Sequence, residues 1–417
     1  MIRRAVAWTT LAGVALLTAA GLLWFDRKAS GPDTVTPTPL ATPPGITLQT
    51  LTADKPRVVY ADANGKTLYV YDKDAGHGSR CTGACATAWP PAPAPADAVG
   101  AGDWSVIVRA DGTRQWAIRG RPLHRAAGDA TVGVASGDGA DGGYWQVAVF
   151  DPSAGMALPA DVMVRDLAAA GGIGLADAAG IALYVFDADA PDPKASQHWS
   201  PLEAPAIANP IGDFSILTRD DGITQWAWRG KPIYRFDEDQ GAGDLNGAGI
   251  DAGFRVALLL RHFTPADAVL RRTAGLGFYF TTADGATLYA HDRAPQTEVA
   301  KIIGAHRGAP ATGRALGTTS CDAACSRDFK PFLAPARALP SGYWDLATRA
   351  EGTRQWVYKG FALYSYVADQ TGQARGHGLH ELVQIGDAQA DELATDRGAV
   401  ATTGFGIGAL YWHAVAP

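Results

Sequence analysis

A chain of 417 residues with 47% apolar and 19% charged side chains has ample material for buried cores, which excludes global disorder. A formal net charge of −6, with 36 Lys and Arg scattered along the chain, excludes a basic stripe for nucleic acid. Four Cys exclude a disulfide-dense mini-scaffold, and 49 Gly with 26 Pro argue for many turns and against long helices or a coiled coil.

The chain opens with Arg3 and Arg4, followed by a charge-free apolar run from Ala5 to Phe25 that Asp26, Arg27 and Lys28 close. A positive flank, an apolar run and a polar exit make an export signal. The run is long enough to cross about 30 Å of hydrocarbon as a helix. Thr18-Ala19-Ala20 offers a small-residue cleavage site, but inside the run rather than after it. Segment 1–28 is therefore read as an uncleaved anchor in the inner membrane, with a cleaved signal peptide as the alternative. The rest of the chain then faces the periplasm or the cell exterior. No Cys comes after the run in lipidation position, so no lipid attachment is expected. Residues 29–45, rich in Pro and Thr, read as an extended spacer.

Self-similarity organises residues 46–417. TRQWAIRGRPLHRAAGD at 113–129 returns as ITQWAWRGKPIYRFDED at 223–239 and as TRQWVYKGFALYSYVAD at 353–369. Upstream of each lies a related segment, at 65–74, 180–189 and 285–294. All six share Gly-x-x-(Leu/Ile)-(Tyr/His), with the aromatic residue at Tyr69, His124, Tyr184, Tyr234, Tyr289 and Tyr364. Asp stands five residues later at Asp74, Asp129, Asp189, Asp239 and Asp369, whereas the remaining segment has Ala294. Two positions past the aromatic, Tyr71, Phe186, Phe236 and Tyr366 repeat as well. The expected architecture is all-β: three tandem repeat units of two half-repeats each, at 46–152, 159–262 and 265–417, behind an N-terminal apolar helix.

Asn64-Gly65 between Val58-Val59-Tyr60 and Leu68-Tyr69-Val70-Tyr71 is a strong hairpin signal. Asp111-Gly112 and Asp221-Gly222 turn in the same way between apolar runs. Helix is expected only as a turn around each Cys pair. Periodicity leaves open whether the units are separate domains or one array.

Tyr69, Tyr71 and Asp74, followed by Cys81, Gly83, Cys85, Ala86, Trp89, Pro90 and Pro91, resemble a secreted repeat family described as predicted lipoproteins of unknown function. Arg109, Asp111-Gly112 and Gln115-Trp116 continue the resemblance. Unit two keeps Tyr184, Phe186, Asp189, Trp199 and Pro201 without Cys. Unit three keeps Cys321, Cys325, Phe329 and Pro331, with His291 and Ala294 as departures. The resemblance implies an exported, repeat-built, non-cytoplasmic protein and supplies no reaction.

Cys81/Cys85 and Cys321/Cys325 stand four apart, within bridging range on one helical turn, so local disulfides are expected outside the cytoplasm. The alternative is a soft-metal or redox site, with copper held by Cys81, Cys85 and His77. His377 and His380 read as loop histidines. Asp237, Asp239, Asp244, Asn246 and Asp251 have the oxygen chemistry for Ca²⁺ but not the spacing of an EF-hand, and ordinary turn chemistry explains them. The recurring Tyr and Asp are expected to hydrogen-bond at strand ends, the Gln-Trp pairs to be buried. No nucleophile elbow, zinc-protease helix or phosphate loop occurs. The sequence thus reads as an envelope protein that binds or scaffolds without catalysis or cofactor, with the membrane and other envelope proteins as partners and no nucleic acid. Periplasmic electron transfer or copper handling through the CxxxC pairs is the alternative.

Overall fold

The turn residues cut the chain into short extended runs, and almost every run becomes a strand. The computed structural model describes residues 38–51, 57–74, 78–129, 132–186, 198–273, 276–291, 325–385 and 406–417, with backbone alone for 380–385 and 406–411. The apolar run 5–25 lies outside them. Among the described residues no helix is long and apolar enough to cross a membrane.

The first unit is an antiparallel sheet in the order Trp104–Val108, Arg114–Ile118, Arg121–Arg125, Leu68–Tyr71, Trp145–Val147. The second repeats it as Phe214–Thr218, Thr224–Trp228, Lys231–Phe236, Tyr184–Phe186, Phe254–Val256. In the third, Trp344–Thr348, Arg354–Tyr358 and Phe361–Ala362 lead into Tyr364–Tyr366, which pairs with Leu288–His291 and through it with Gly406–Ala414. The two halves of every unit meet on their equivalent strands, where Tyr69 lies opposite His124, Tyr184 opposite Tyr234 and Tyr289 opposite Tyr364. Each unit is thus a pair of half-repeats related by a local pseudo-two-fold.

A hairpin precedes each sheet: Ile46–Leu51 with Arg57–Asp62, Val162–Leu167 with Gly172–Asp177, and Ala268–Thr273 with Gly277–Thr282. These hairpins modify the reading of Asn64-Gly65. The turn does form, with Asp62 Oδ1 accepting the Asn64 and Lys66 N–H groups at 2.8 and 3.0 Å. Its strands then part after the Ala61–Thr67 bridge, because Arg57–Asp62 takes Ile46–Leu51 as its partner. The Asp111-Gly112 turn joins two strands of one sheet as expected, with Asp111 Oδ1 accepting the Thr113 N–H at 2.9 Å. Among the described residues helix is confined to Ala84–Ala88, which carries Cys85, and short 3-10 turns such as Cys325–Arg327.

The units are not beads on a string. One apolar core runs through the first and third units, from Ile46, Leu48, Trp104 and Trp116 to Phe280, Trp344, Leu346 and Trp356. Its backbone seam is a parallel bridge between Thr47 and Gly342, with Gly342 N–H donating to Ile46 O and Leu48 N–H to Gly342 O, both at 3.0 Å. The middle unit keeps its own core around Leu175, Leu183, Phe214 and Trp226.

The end of the expected spacer is part of this body. Ala41 N–H donates to Arg261 O and Arg261 N–H to Pro39 O, each at 2.8 Å. Ala41 O accepts from Trp104 Nε1 at 3.1 Å, and Thr42 Oγ1 lies 3.0 Å from Ser341 Oγ. Residues 38–45 therefore strap the three units together, and the spacer of 29–45 is shortened at that end. The physical reason is that extended Pro/Thr chain keeps free carbonyls, which edge strands and loops of the units satisfy.

Candidate functional site

Burial makes the repeated motif a structural module. Tyr69 donates to Asp129 Oδ2 at 2.6 Å, Tyr184 to Asp239 at 2.7 Å and Tyr289 to Asp369 at 2.5 Å. Each Tyr belongs to the first half of its unit and each Asp to the second. The other carboxylate oxygen accepts a backbone N–H, from Ser136, Asn246 or Arg375 at 3.0, 2.6 and 2.8 Å. Gly137 and Gly376 bring their N–H groups to the Tyr69 and Tyr289 hydroxyls at 3.4 and 3.2 Å. Burial first, then the carboxylate partner, pushes the phenols of Tyr69, Tyr184 and Tyr289 far above their usual range, so they act as permanent donors. Burial also raises Asp239, against the lowering by its hydrogen bonds.

This network organises the Asp/Gly loops. Asp239 holds Tyr184, Asp244 accepts the Gly241 N–H at 2.7 Å, Asp251 accepts from Trp199 Nε1 at 2.7 Å and Asp237 from Ser200 at 2.7 Å. Each carboxylate serves a different turn. Tyr71 stacks on Trp145 and donates to Asp141 at 3.2 Å, while Phe186 packs on Phe254, Phe236 on Trp199 and Tyr366 on Phe329. Asp189 lies outside the described residues. Tyr364, opposite the unit half that carries Ala294 in place of Asp, has a buried hydroxyl with no hydrogen-bond partner among the described residues.

The Gln-Trp pairs are buried in all three units. Gln115, Gln225 and Gln355 each donate to the carbonyl eight residues on at 2.7 Å and accept from Arg109, Arg219 and Arg349 at 2.6, 3.2 and 2.9 Å. The Arg was within the resembling motif, but its pairing with Gln needed the fold.

The first unit alone replaces the second-half tyrosine with histidine. His124 Nδ1 lies 3.1 Å from Trp89 O, which can only accept, so Nδ1 carries the proton. Nε2 faces Gln115 Nε2 at 3.2 Å, Asp74 Oδ2 at 3.3 Å and Ser79 Oγ at 3.4 Å. Ser, His and Asp meet here without the geometry of a nucleophilic triad, because both oxygens sit on the same ring nitrogen and no carboxylate orients Nδ1. The side chains of His124 and Asp74 are 0% and 1% exposed, which shuts solvent out. Asp74 Oδ1 accepts the Arg80 N–H at 2.6 Å, and Arg109 donates to Cys81 O at 2.6 Å. The pair thus braces the loop that leads into Cys81.

Cys81 and Cys85 form a disulfide with Cα atoms 5.1 Å apart, which removes both sulfurs as thiolate ligands. Cys325 is disulfide-bonded too, while His77 and Cys321 lie outside the described residues. His377 Nδ1 accepts the Ala414 N–H at 3.2 Å, and the side chain of His380 is outside the description. Among the described residues no group of three or more His, Cys, Asp or Glu is arranged to hold a metal ion.

A concave site does exist where the first and third units meet. A cleft of about 560 Å³ is walled by Trp116 and Pro95 of the first unit, Trp356 and Pro335 of the third, Phe263, and Pro44 of the strap. Asp97, Asp267 and Arg337 supply its charges. Repeat geometry explains its construction: Pro95, Asp97 and Trp116 correspond to Pro335, Arg337 and Trp356, so equivalent loops approach each other across the shared core. Sequence reading missed it because it lies between units that are not neighbours in the chain.

The profile of a family described as a secreted repeat of unknown function matches residues 52–93, 105–149 and 215–257. These segments are half-repeats: both halves of the first unit and the second half of the middle one. The third unit is tied to them by structure, through the same tyrosine–aspartate and arginine–glutamine pairs. No curated protein and no solved structure matches the chain.

Proposed function

We propose, for a chain that carries the secreted repeat three times, that it works outside the cytoplasm as a binding body and not as a catalyst. In this reading the apolar segment 1–28 anchors it in the inner membrane, facing the periplasm, and it requires no cofactor. The observation that carries the proposal is the cleft between the first and third units, a volume within the range of ligand sites. The proline rings and Phe263 offer apolar faces to an aromatic or aliphatic group of an envelope partner, over a floor of nearly buried Trp116 and Trp356, and Asp97, Asp267 and Arg337 orient its polar part.

Filling the cleft tests this. Val99 and Leu339 line it from equivalent positions with exposed side chains, and Val99→Trp with Leu339→Trp would occupy the space while leaving the cores alone. Envelope material retained by the unmodified chain and released by the filled variant supports the proposal. Equal retention by both moves binding elsewhere on the body. Copper bound stoichiometrically, with the four Cys free, would replace this reading with metal handling.

A further inference from the structure

The first unit alone combines a Cys pair, a histidine at the second-half ring position and an Asp five residues after the first-half tyrosine. The third unit has Tyr364 and Ala294 at the last two positions, and the middle unit has no Cys. In the first unit these residues meet on one segment. Ser79 Oγ lies 3.4 Å from His124 Nε2, and Trp89 O accepts from Nδ1 at 3.1 Å. Both nitrogens of the imidazole are thus clasped by the stretch from Ser79 to Trp89, and the Cys81–Cys85 bond ties that stretch together.

Little besides the bond fixes the shape of the clasp. Its helix, Ala84–Ala88, has five residues, no side-chain cap and no buried residue. A helix of that length is unstable alone, because one turn fixes more backbone than its hydrogen bonds offset. The two ends of the clasp are held differently. Trp89 stacks on Trp145 with centroids 3.9 Å apart and stays with the core. The front end rests on the buried polar groups themselves. Asp74 Oδ1 accepts the Arg80 N–H at 2.6 Å, Ser79 Oγ accepts the Cys81 N–H at 3.2 Å, and Arg109 donates to Cys81 O at 2.6 Å.

We propose that the Cys81–Cys85 bond is a redox latch over the His124–Asp74 pair, opened by an extracytoplasmic dithiol. Cys85 is partly exposed and Cys81 fully buried, so the incoming thiolate reaches Cys85. It forms a mixed disulfide with Cys85 Sγ and expels Cys81 as a thiolate, which takes up a proton. The second thiolate of the reductant attacks the reductant's own sulfur in that mixed disulfide. The reductant closes to a disulfide, and Cys85 leaves as a thiolate and is protonated. With the tie gone, residues 78–84 lift while Trp89 stays stacked. His124 Nε2 and Asp74 Oδ2, 3.3 Å apart and shut from water in the closed form, then face solvent. Latch and pair also stabilise each other, because coupling between two equilibria is reciprocal. Weakening the pair's hold on the loop therefore eases reduction.

Hydrogen exchange at the histidine C2 position, read by mass spectrometry on the full chain, tests the latch. His124 should exchange slowly in the oxidised protein and at least tenfold faster in dithiol. His262, with a side chain 10% exposed and far from this loop in sequence, should keep its rate. Cys81→Ser with Cys85→Ser should reproduce the fast rate without reductant, which assigns the effect to this bond. In the reciprocal arm, Asp74→Ala should shift the equilibrium of the Cys81–Cys85 bond with glutathione at least tenfold toward the reduced form. Slow exchange at His124 in the reduced chain or in the double variant overturns the proposal. So does fast exchange already present in the oxidised chain, or acceleration of both histidines together. An Asp74→Ala equilibrium equal to that of the unmodified chain overturns it as well.

Discussion

Tyr69 and Asp129, separated by 60 residues, share a 2.6 Å hydrogen bond with both side chains buried. Asp129 stands five residues after His124, yet it serves the tyrosine of the other half. The cause is the pairing of Tyr69 directly opposite His124: each strand leaves the sheet past its partner's ring, carrying its own Asp across the pseudo-two-fold. His124 and Asp74 are the reciprocal crossing.

Removing the hydroxyl should therefore cost different amounts in equivalent positions. Tyr69→Phe leaves a buried carboxylate short of one donor, and we expect a loss of about 2 kcal/mol. Tyr364→Phe should be neutral or slightly stabilising, because that hydroxyl already lacks a partner among the described residues. Urea midpoints of the two variants decide the matter, and equal losses would disprove the crossed-pair account.

Close approach gives a second contrast. A Cβ at Gly137 would lie 2.4 Å from the Trp89 ring, itself stacked on Trp145 with centroids 3.9 Å apart. At Gly139 it would meet nothing within 4 Å, although φ is +82° there. Gly137→Ala should cost about 3 kcal/mol by overpacking, and Gly139→Ala about 1 kcal/mol from its backbone alone. Thermal melts of both variants, with near-ultraviolet circular dichroism to follow the tryptophan stack, test the ranking.

The Cys81–Cys85 bond closes a very short loop, so it constrains the unfolded chain little. Cys81→Ser with Cys85→Ser should lower stability by about 2 kcal/mol and leave the fold intact. Peptide mapping without reductant should recover these two residues joined. Free thiols at both would contradict the structure.

Between the middle and third units, Asp166 Oδ1 lies 2.8 Å from His262 Nε2, and Tyr343 donates to Oδ2 at 3.3 Å. Burial acts to raise Asp166, but the His262 bond and the nearby Lys359 outweigh it and hold the carboxyl below its ordinary value. A depressed carboxyl adds stability above its unfolded pKa of about 4 and loses it as pH falls through the folded value. Asp166→Asn should therefore flatten the acid limb of the melting curve below about pH 4 and leave its slope at pH 7 unchanged. An unaltered acid limb would count against this junction.

The junction also shows how far repeats diverge. Arg119 and Arg229 pair with Asp103 and Asp213 of their own units at 2.7 and 2.9 Å. In the third unit the same positions are Lys359 and Tyr343, and the carboxylate comes from Asp166 of the middle unit.

Local chemistry was legible in the chain by itself: strand runs, the Asp-Gly turns, the half-repeats, the buried Gln-Trp pairs and the secreted repeat. All depend on residues a few positions apart, where alternation and turn propensity act directly. Tertiary structure decided that Asp74, Asp129, Asp239 and Asp369 cross to the other half, that Asn64-Gly65 joins strands of different sheets, that residues 38–45 belong to the body, and that the first and third units share a core. Those outcomes depend on which apolar faces find each other across hundreds of residues. Burial rewards that choice through surface removed from water, whatever the distance along the chain, and so periodicity carries no record of it.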